Sequence, residues 1–199
     1  MSSGPGSREK ILFCARDLFY FVGFQSTSVD DILRVCGVAK SNFYYHFRTK
    51  DELALAVLDL HAADFKERAL DRLADRTLKP DERLKCFCDA LVRAQSDLQQ
   101  LGGCPFGNFA AALSVHDDAR VDRFRAAVRA VFGHLQQELA HCLAEGIQEG
   151  VFRGDISPDE LAATVVAAIE GLMLMAKTNR SSEPLARGLP VLRLLLRVD

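Results

Sequence analysis

A short run of donor-bearing and aromatic side chains near residue 44 is the part of this chain best suited to chemistry with a partner. Residues 40–47 read KSNFYYHF, so Phe43 and Phe47 lie four positions apart and share one face of a helix. The other faces carry hydrogen-bond donors and flat rings: Lys40, Ser41, Asn42, Tyr44, Tyr45 and His46. Asn and Lys can bond base edges, and Tyr and His can reach phosphate oxygens. The pattern predicts a helix that packs through its phenylalanines and presents its polar side to the major groove of DNA.

A second short helix must come directly before this one to position it. Ser28 and Asp31 form an S-x-x-D start signal, and residues 29–36 place apolar side chains at helical period. Gly37 then allows the positive φ that a sharp turn requires. Two short helices joined by a turn that contains glycine predict a helix-turn-helix. Thr27 and Ser28 begin the first of them, where a hydroxyl can cap the helix and also touch a phosphate.

A longer helix is predicted to follow, over residues 50–75. Thr49 and Glu52 form a capping box at its start, where Lys50 and the first-turn amides would face phosphate because a helix N-terminus attracts anions. At 1.5 Å per residue this helix spans roughly 35–40 Å, which is long enough to join two domains. The predicted division is a DNA-binding domain over 1–48 and a regulatory domain over 49–199. His61, on the same helix, either faces the body of the protein or is a surface or satisfied core residue.

Several linked motifs in this region resemble the DNA-binding domain of TetR-type transcriptional regulators over about residues 8–60. They are Gly23-Phe24, the residues 27–32 (TSVDDI), the residues 37–41 (GVAKS), the residues 43–47 (FYYHF) and the residues 50–53 (KDEL). The resemblance implies an all-α protein with an N-terminal three-helix DNA-binding domain and a larger C-terminal helical domain. It also implies a homodimer whose C-terminal domain binds a small molecule and thereby releases operator DNA. The tilt of the connecting helix would then set the separation of the two recognition helices.

Composition and charge agree with this class. The 199 residues are 49% hydrophobic, with a formal net charge of −2. Residues 1–50 carry seven Lys or Arg and four Asp or Glu, a balance of +3, which leaves −5 for the rest. A basic head on an acidic body suits phosphate binding at one end. No apolar run reaches the roughly 18 residues of a membrane span and the N-terminus lacks a signal peptide, so a cytoplasmic protein is expected.

The cysteines and the C-terminal helices are the remaining features with chemical potential. Six cysteines in a cytoplasmic protein argue against a disulfide framework, and their spacing does not favour a metal site. Cys104 precedes Pro105 at the predicted start of a helix over 104–113, where unpaired amides would stabilise a thiolate. Helices are also predicted over residues 8–22, 81–101 and 117–149, from Pro158, and from Glu183. In these helices the side chains expected to point into the body are Phe87, Leu91, Cys104, Phe106, Phe109, Phe124, Val128, Leu172 and Met175, which suit either a ligand cavity or plain core.

The helix from Pro158 predicts how two copies meet. Its interior, LAATVVAAIEGLMLMA, is apolar nearly all round, so it needs cover on every side. We expect this helix and the one ending near Glu149 to pack against their two-fold mates in a four-helix bundle. Glu170 interrupts the apolar run, either paired across that interface or placed in the ligand pocket.

A second resemblance concerns Cys104. Gly103-Cys104, together with Ala176-Lys177 and residues 180–185, is similar to the NemR-like branch of the TetR-type repressors. That resemblance implies that Cys104, helped by Lys177, senses electrophiles and reactive chlorine. The alternative is that Cys104 is a small residue that lines or packs near the pocket.

The function predicted from the sequence is that of a DNA-binding transcriptional regulator, a repressor released by a small-molecule or electrophilic inducer. No cofactor is expected. An enzyme is not expected either, because the chain has no Gly-rich phosphate loop and no nucleophile elbow. A constitutive architectural DNA binder would need no cavity in the body. A protein–protein adaptor would show no salt-dependent affinity for DNA.

Overall fold

The computed structural model describes residues 6–96, 102–113 and 119–198, and these residues are largely helical. The helices are α1 Ser7–Phe21, α2 Val29–Cys36, α3 Lys40–His46, α4 Lys50–Phe65, α5 Asp71–Ala74, α6 Pro80–Ser96, α7 Pro105–Ala112, α8 Ala119–Gln148, α9 Pro158–Asn179 and α10 Glu183–Leu196. Within the described residues, extended pairing is limited to one bridge between Phe152 and Arg197. The predicted all-α class is confirmed. The predicted helix ends at 97–101 and 117–118 lie outside the described residues.

The chain forms two compact units. Unit 1 combines Met1–Ala62 with Pro105–Val128, and unit 2 combines Ala63–Cys104 with Arg129–Asp199. Unit 1 therefore contains the predicted DNA-binding helices together with α7 and the first part of α8. The boundary predicted at residue 48 did not anticipate that α7 belongs with the N-terminal helices.

Unit 1 is built around buried side chains that recur at helical period. The buried residues of α1 are Ile11, Ala15 and Phe19. Ile32 of α2, Phe43 of α3 and Phe47, which directly follows α3, are buried as well. Gly6 is the N-cap of α1 and Ser7 is its first helical residue. The Ser7 hydroxyl lies 2.7 Å from Nε2 of His46. This bond joins the start of α1 to the end of α3.

The turn between α2 and α3 has the predicted geometry. Ser28 caps α2, because its hydroxyl accepts from the Asp31 amide at 3.1 Å while the Asp31 carboxylate accepts from the Ser28 amide at 3.0 Å. The Ser28 hydroxyl and amide both donate to the Asp31 carboxylate, and these bonds lower the pKa of Asp31 below its ordinary value. Gly37 ends the helix with a φ of +65°. The helix-turn-helix is therefore set by local capping and one left-handed residue.

The predicted connecting helix over residues 50–75 is present but not uniform. α4 continues into a π-helical segment, Lys66–Leu70, before α5 ends at Ala74. A π segment accommodates one extra residue in a helix and is frequent at functional sites. It begins four residues after the end of the unit 1 segment Met1–Ala62, so the irregular part of this helix lies in unit 2.

A buried arginine holds together three elements of unit 2. Arg83 on α6 is only 2% exposed and donates from Nε to the Leu73 carbonyl on α5 at 2.6 Å. Its Nη1 donates to Glu145 on α8, and the Cys142 thiol one turn earlier donates to the Pro80 carbonyl at 3.3 Å. The buried guanidinium is thus paired and hydrogen-bonded, as burial of a charge requires.

α9 supplies much of the unit 2 core through one face. Its buried residues are Leu161, Ala162, Val165, Val166, Ile169, Met173 and Ala176. By length and composition its 22 residues would suffice to span a membrane, which corrects the expectation that no segment would. Core helices meet the same criterion, and the buried face of α9 belongs to the core of unit 2. The helix begins at Pro158, as predicted, and Ser157 caps it.

Candidate DNA-binding face and effector site

The exposed face of α3 carries the side chains that the sequence assigned to base contact. Phe43 and Phe47 are buried, whereas Lys40, Ser41, Asn42, Tyr44 and Tyr45 are exposed, and Tyr45 is 84% exposed. A large exposed aromatic side chain beside polar ones is unusual on a helix whose only task is packing. The face has the size and chemistry of a helix that enters a major groove.

Two of the predicted polar residues already have partners on their own unit. Lys40 forms an exposed ion pair with Asp30 at 3.0 Å, and that hydrogen bond raises the pKa of Lys40 above its ordinary value. His46 is half-buried and bonded to Ser7. An exposed ion pair contributes little to stability, so DNA phosphate can replace Asp30 at little cost.

Lys50 makes contacts within unit 1 that the sequence did not indicate. Its Nζ donates to the carbonyls of Phe24 and Thr27 at 2.9 and 3.0 Å, and it lies 4.4 Å from the centre of the Phe24 ring. A half-buried ammonium over an aromatic face is attracted to the ring. Lys50 therefore ties the start of α4 to the loop before α2. Phosphate contact by Lys50 stays a prediction.

Thr27 and Ser28 are used structurally in the free protein. Thr27 is 2% exposed and its hydroxyl donates to the Gly23 carbonyl at 2.8 Å. A phosphate contact by the Thr27 hydroxyl would require that bond to be released. The Ser28 hydroxyl donates to the Asp31 carboxylate at 2.6 Å. Ser28 is exposed, so it remains accessible to a partner.

The aromatic effector-site candidates of α7 and early α8 form a ring cluster inside unit 1. Phe109 lies 5.5 Å from the Phe24 ring and 6.2 Å from the Phe19 ring, and Phe124 lies 5.4 Å from Phe24. Phe106 contacts His61 of α4 at 6.4 Å between ring centres. Val128 is buried in the same unit. His61 is half-buried and thus faces an aromatic side chain of its own unit.

Phe24 links this cluster to the DNA-binding helices. Its ring packs on Phe109 and Phe124, and its carbonyl and ring both hold Lys50. Gln25, the next residue, donates from Nε2 to the Ala112 carbonyl at the end of α7 at 3.2 Å. Sequence reasoning missed these contacts because the paired residues lie far apart in the chain and carry no local signal.

Cys104 and Glu170 form a polar pair in unit 2. Burial raises the pKa of Glu170 above its ordinary value, and a hydrogen bond between its carboxylate and the Cys104 thiol offsets part of that rise. The pair places Glu170 beside the predicted sensing residue, where the sequence left open an interface or a pocket. Gly103, with a φ of +77°, approaches the side chain of Lys177 so closely that an added Cβ would lie 3.3 Å from Cδ.

Gln95 of α6 is a polar side chain near this pair that sequence reasoning did not single out. It is buried and donates from Nε2 to the Gly103 carbonyl at 3.3 Å. Its Oε1 is buried without a hydrogen-bond partner among the described residues. Buried polar groups are nearly always bonded, so a free acceptor beside Gly103 is consistent with a ligand that carries a donor. Its only sequence signal is a polar residue within the apolar stripe of α6.

The remaining candidates divide between core and surface of unit 2. Phe87 and Leu91 of α6 are buried in its core, and Leu172 of α9 is half-buried against it. Met175 was expected to point into the body, but it is 54% exposed. The expectation is wrong because the buried residues Met173 and Ala176 define the inward face of α9, and Met175 lies on the opposite side.

These features define a class of protein: a helix-turn-helix with an exposed, donor-rich second helix, carried by a chain with a separate helical unit. Comparison with known proteins gives the family. Residues 11–57 match the family described as bacterial regulatory proteins, tetR family, and residues 80–192 match the tetracyclin repressor-like C-terminal domain. The chain belongs to the TetR family and is a DNA-binding transcriptional regulator.

Individual relatives are regulators as well. The chain is 30% identical to the transcriptional regulator AcuR of Cereibacter sphaeroides, over 82% of this chain and 73% of that protein. It is 26% identical to the repressor NemR of Escherichia coli, over 92% and 90%. The crystal structure of a regulatory protein TetR from Rhodobacter sphaeroides is similar with a TM-score of 0.86 and 25% identity, covering 96% of this chain and 98% of that one. Regulators of this family are not enzymes, are typically cytoplasmic, and typically dimerise and bind small molecules.

Proposed function

We propose that this protein is a homodimeric, cytoplasmic repressor that reads its operator through α3 and leaves it when a small or electrophilic molecule binds unit 2. The observation that carries the DNA-binding part is the arrangement of α3. Two buried phenylalanines fix the helix, while Asn42, Tyr44 and Tyr45 stand exposed with Lys40 and Ser41. In this proposal Asn42 reads a base edge, and Lys40, Tyr44, Tyr45, His46 and Lys50 contact phosphate, with help from Thr27 and Ser28.

Comparing Asn42→Ala with Lys50→Ala tests how base reading and phosphate binding are divided. Asn42→Ala should change the preferred base at one position and leave the salt dependence unchanged. Lys50→Ala should weaken binding to all sequences and reduce the slope of log affinity against log salt by about 1. Because Lys50 also holds the Phe24 and Thr27 carbonyls, its variant needs a melting curve. Equal, sequence-independent losses from both variants at unchanged melting temperature would contradict the assignment of Asn42.

We propose that the dimer forms through α8 and the outward face of α9. That face carries small and apolar side chains, including Ala163, Ala167, Gly171, Leu174 and Met175, all exposed in the single chain. Apolar surface of this kind is stabilised by a two-fold copy of the same helix. The face lies on the opposite side of α9 from the residues that build the unit 2 core.

The route proposed from effector to DNA follows the chain out of Cys104. Cys104 is directly followed by α7, whose Phe109 packs on Phe24, and Phe24 in turn holds Lys50. A ligand that shifts α7 would move Phe24 and the base of the DNA-binding helices. To release DNA, the ligand must bind the released conformer more tightly than the DNA-binding one. Changing the ratio of released to DNA-binding conformer from 1:99 to 99:1 takes about 5.5 kcal/mol of differential binding. A constitutive DNA binder would lack this response.

Cys104 and Glu170 suit reaction with an activated alkene. The Cys104 sulfur would form a bond to the β-carbon while the C=C π bond breaks. Glu170 would take the thiol proton and pass it to the α-carbon, so no other reagent is consumed. A carboxylate whose pKa is raised by burial is a stronger base than an ordinary one. Lys177 lies alongside Gly103, where its charge would favour the thiolate.

N-ethylmaleimide tests the electrophile version against non-covalent binding. The wild type should take one adduct at Cys104 and lose operator binding, and Cys104→Ser should retain DNA in the presence of the reagent. Cys86→Ser is the matched control, because Cys86 is also half-buried and lies in unit 2. If Cys104→Ser is released as readily as the wild type, the covalent version is wrong and a non-covalent ligand beside Gln95 becomes the leading proposal.

A further inference from the structure

A cavity lies in unit 2, between α6 and α10, and none of its lining residues belongs to the effector site proposed above. Its volume is about 250 Å³ and its lining includes Arg93, Arg193, Cys88, Asp89, Leu189 and Pro190. Pro190 lies inside α10 and has no backbone N–H, which removes one helical hydrogen bond at this turn. Sites for drug-sized ligands enclose about 300–1,000 Å³, so this one fits a smaller molecule.

The described residues leave the arginines of this cavity without a carboxylate partner. Nε of Arg193 is buried without a hydrogen-bond partner in the described part of the chain, and its Nη2 reaches only the Asp81 backbone carbonyl, at 3.3 Å. Arg93, opposite on α6, has no carboxylate partner among the described residues either. Arg93 is exposed and Arg193 only half-buried, but a buried donor such as Nε of Arg193 is costly unless something accepts from it.

The neighbouring carboxylates are already engaged elsewhere. Asp89 is paired with Lys85 at 2.6 Å, and Asp81 is paired with Arg197 at 3.1 Å. Cys88 adds no negative charge, because burial raises its pKa to about 12. The cavity therefore keeps a positive balance from Arg93 and Arg193, against a wall formed by Val92, Leu189 and Pro190.

We propose that the cavity between α6 and α10 binds a small organic anion, a carboxylate with a short apolar tail. The planar guanidinium fork of arginine matches the two oxygens of a carboxylate, and Nε of Arg193 would donate to one of them. The tail would lie against Leu189, Pro190 and Val92. The charge selects an acid, and the apolar wall selects against inorganic anions.

Benzoate is the probe, with benzamide as its uncharged counterpart and inorganic phosphate as an anion without a tail. In calorimetric titrations of the full chain, benzoate should bind saturably, and both counterparts at least tenfold more weakly. Arg193→Met should weaken benzoate binding at least tenfold. Arg187→Met is the matched control on the same helix, because Arg187 is exposed and paired with Glu183 at 2.9 Å, and it should change binding less than twofold. Cys104→Ser should also leave benzoate binding unchanged.

Ala186→Leu provides a second variant that fills the cavity without touching either arginine, in case Arg193→Met fails to fold. It should abolish benzoate binding at an unchanged melting temperature. The proposal is overturned if benzoate shows no saturable binding, if phosphate binds as tightly as benzoate, or if Arg187→Met or Cys104→Ser weakens binding as much as Arg193→Met.

Discussion

Glu170 is the ionisable side chain within the apolar run of α9, and its burial there affects its protonation. Burial raises its pKa, so the folded protein holds a proton on Glu170 more tightly than the unfolded chain does. The Cys104 thiol supplies a hydrogen bond that offsets part of this cost. A carboxylate kept at some cost in an apolar helix is more consistent with function than with packing.

Glu170→Gln should remove a pH dependence of stability. With a raised folded pKa, the wild type binds more protons folded than unfolded, so its stability falls as pH rises from the ordinary value of 4.5 through the folded pKa. The glutamine variant lacks this loss. Urea denaturation from pH 4 to 8 measures the unfolding free energies of both proteins. As pH rises, the variant should become more stable relative to the wild type. A difference that is constant with pH would show that Glu170 has an ordinary pKa.

The position of Lys50 along the chain could be predicted from the sequence, but its hydrogen-bond partners could not. Its place after Thr49 predicts a first-turn position, and Lys50 does begin α4. Its bonds to the Phe24 and Thr27 carbonyls join residues more than twenty positions apart. No local pattern encodes such a pairing. The prediction that Met175 points into the body was wrong for a related reason. Helical period places Met175 on one side of α9, but only the fold decides which side is buried.

At the scale of elements, the turn between α2 and α3 fixes how the recognition helix is presented. The capping box at Ser28 and Asp31 and the left-handed Gly37 are local signals at the two ends of α2, so this part of the site could be predicted from sequence. The π-helical segment Lys66–Leu70 could not, because its apolar residues also fit an uninterrupted α-helix. The attachment of α7 to unit 1 likewise depends on ring contacts that sequence does not display.

Gly37→Ala should destabilise the DNA-binding helices by about 1 kcal/mol, because an L side chain disfavours the left-handed conformation. An added Cβ at Gly37 meets no atom within 4 Å, so the cost is conformational rather than steric. Gly37→Asn is the control, since asparagine tolerates this conformation, and it should lose clearly less stability than the alanine variant. Thermal denaturation of the three proteins measures the difference. Equal losses in both variants would indicate that side-chain volume, and not φ, matters there.

Arg83→Met should destabilise unit 2 by about 3 kcal/mol, the low end of the range for removing one partner of a buried ion pair, because Glu145 keeps some access to water. The loss of the bond to Leu73 should also loosen α5. Glu145→Gln retains a partner for Arg83 and should cost less. Urea denaturation gives both values. An Arg83→Met variant as stable as the wild type would show that the bonds from Arg83 to Leu73 and Glu145 do not stabilise unit 2.

At the scale of the whole molecule, a monomer cannot read a two-fold operator. Two recognition helices in one dimer must match half-sites about 34–36 Å apart, so dimerisation and DNA binding are coupled. The apolar face of α9 is the proposed seam, and α10 carries an equally exposed apolar face. Leu174 on α9 is 64% exposed and Leu194 on α10 is 65% exposed, which makes them a matched pair.

Leu174→Asp should shift the protein to monomers in sedimentation experiments and weaken operator binding, because it buries an unpaired charge in the proposed seam. Leu194→Asp should leave the dimer intact. The reverse outcome would place the interface on α10.

Selection of binding sites by the purified full chain from random duplex DNA tests the central claim most directly. The expected product is a two-fold symmetric sequence whose half-site centres lie one helical turn, about 10–10.5 base pairs, or a multiple of it apart. Asn42→Ala should select a sequence altered at one symmetric pair of positions. Enrichment of no sequence over the starting pool, or of the same sequence by Asn42→Ala, would contradict base reading by α3.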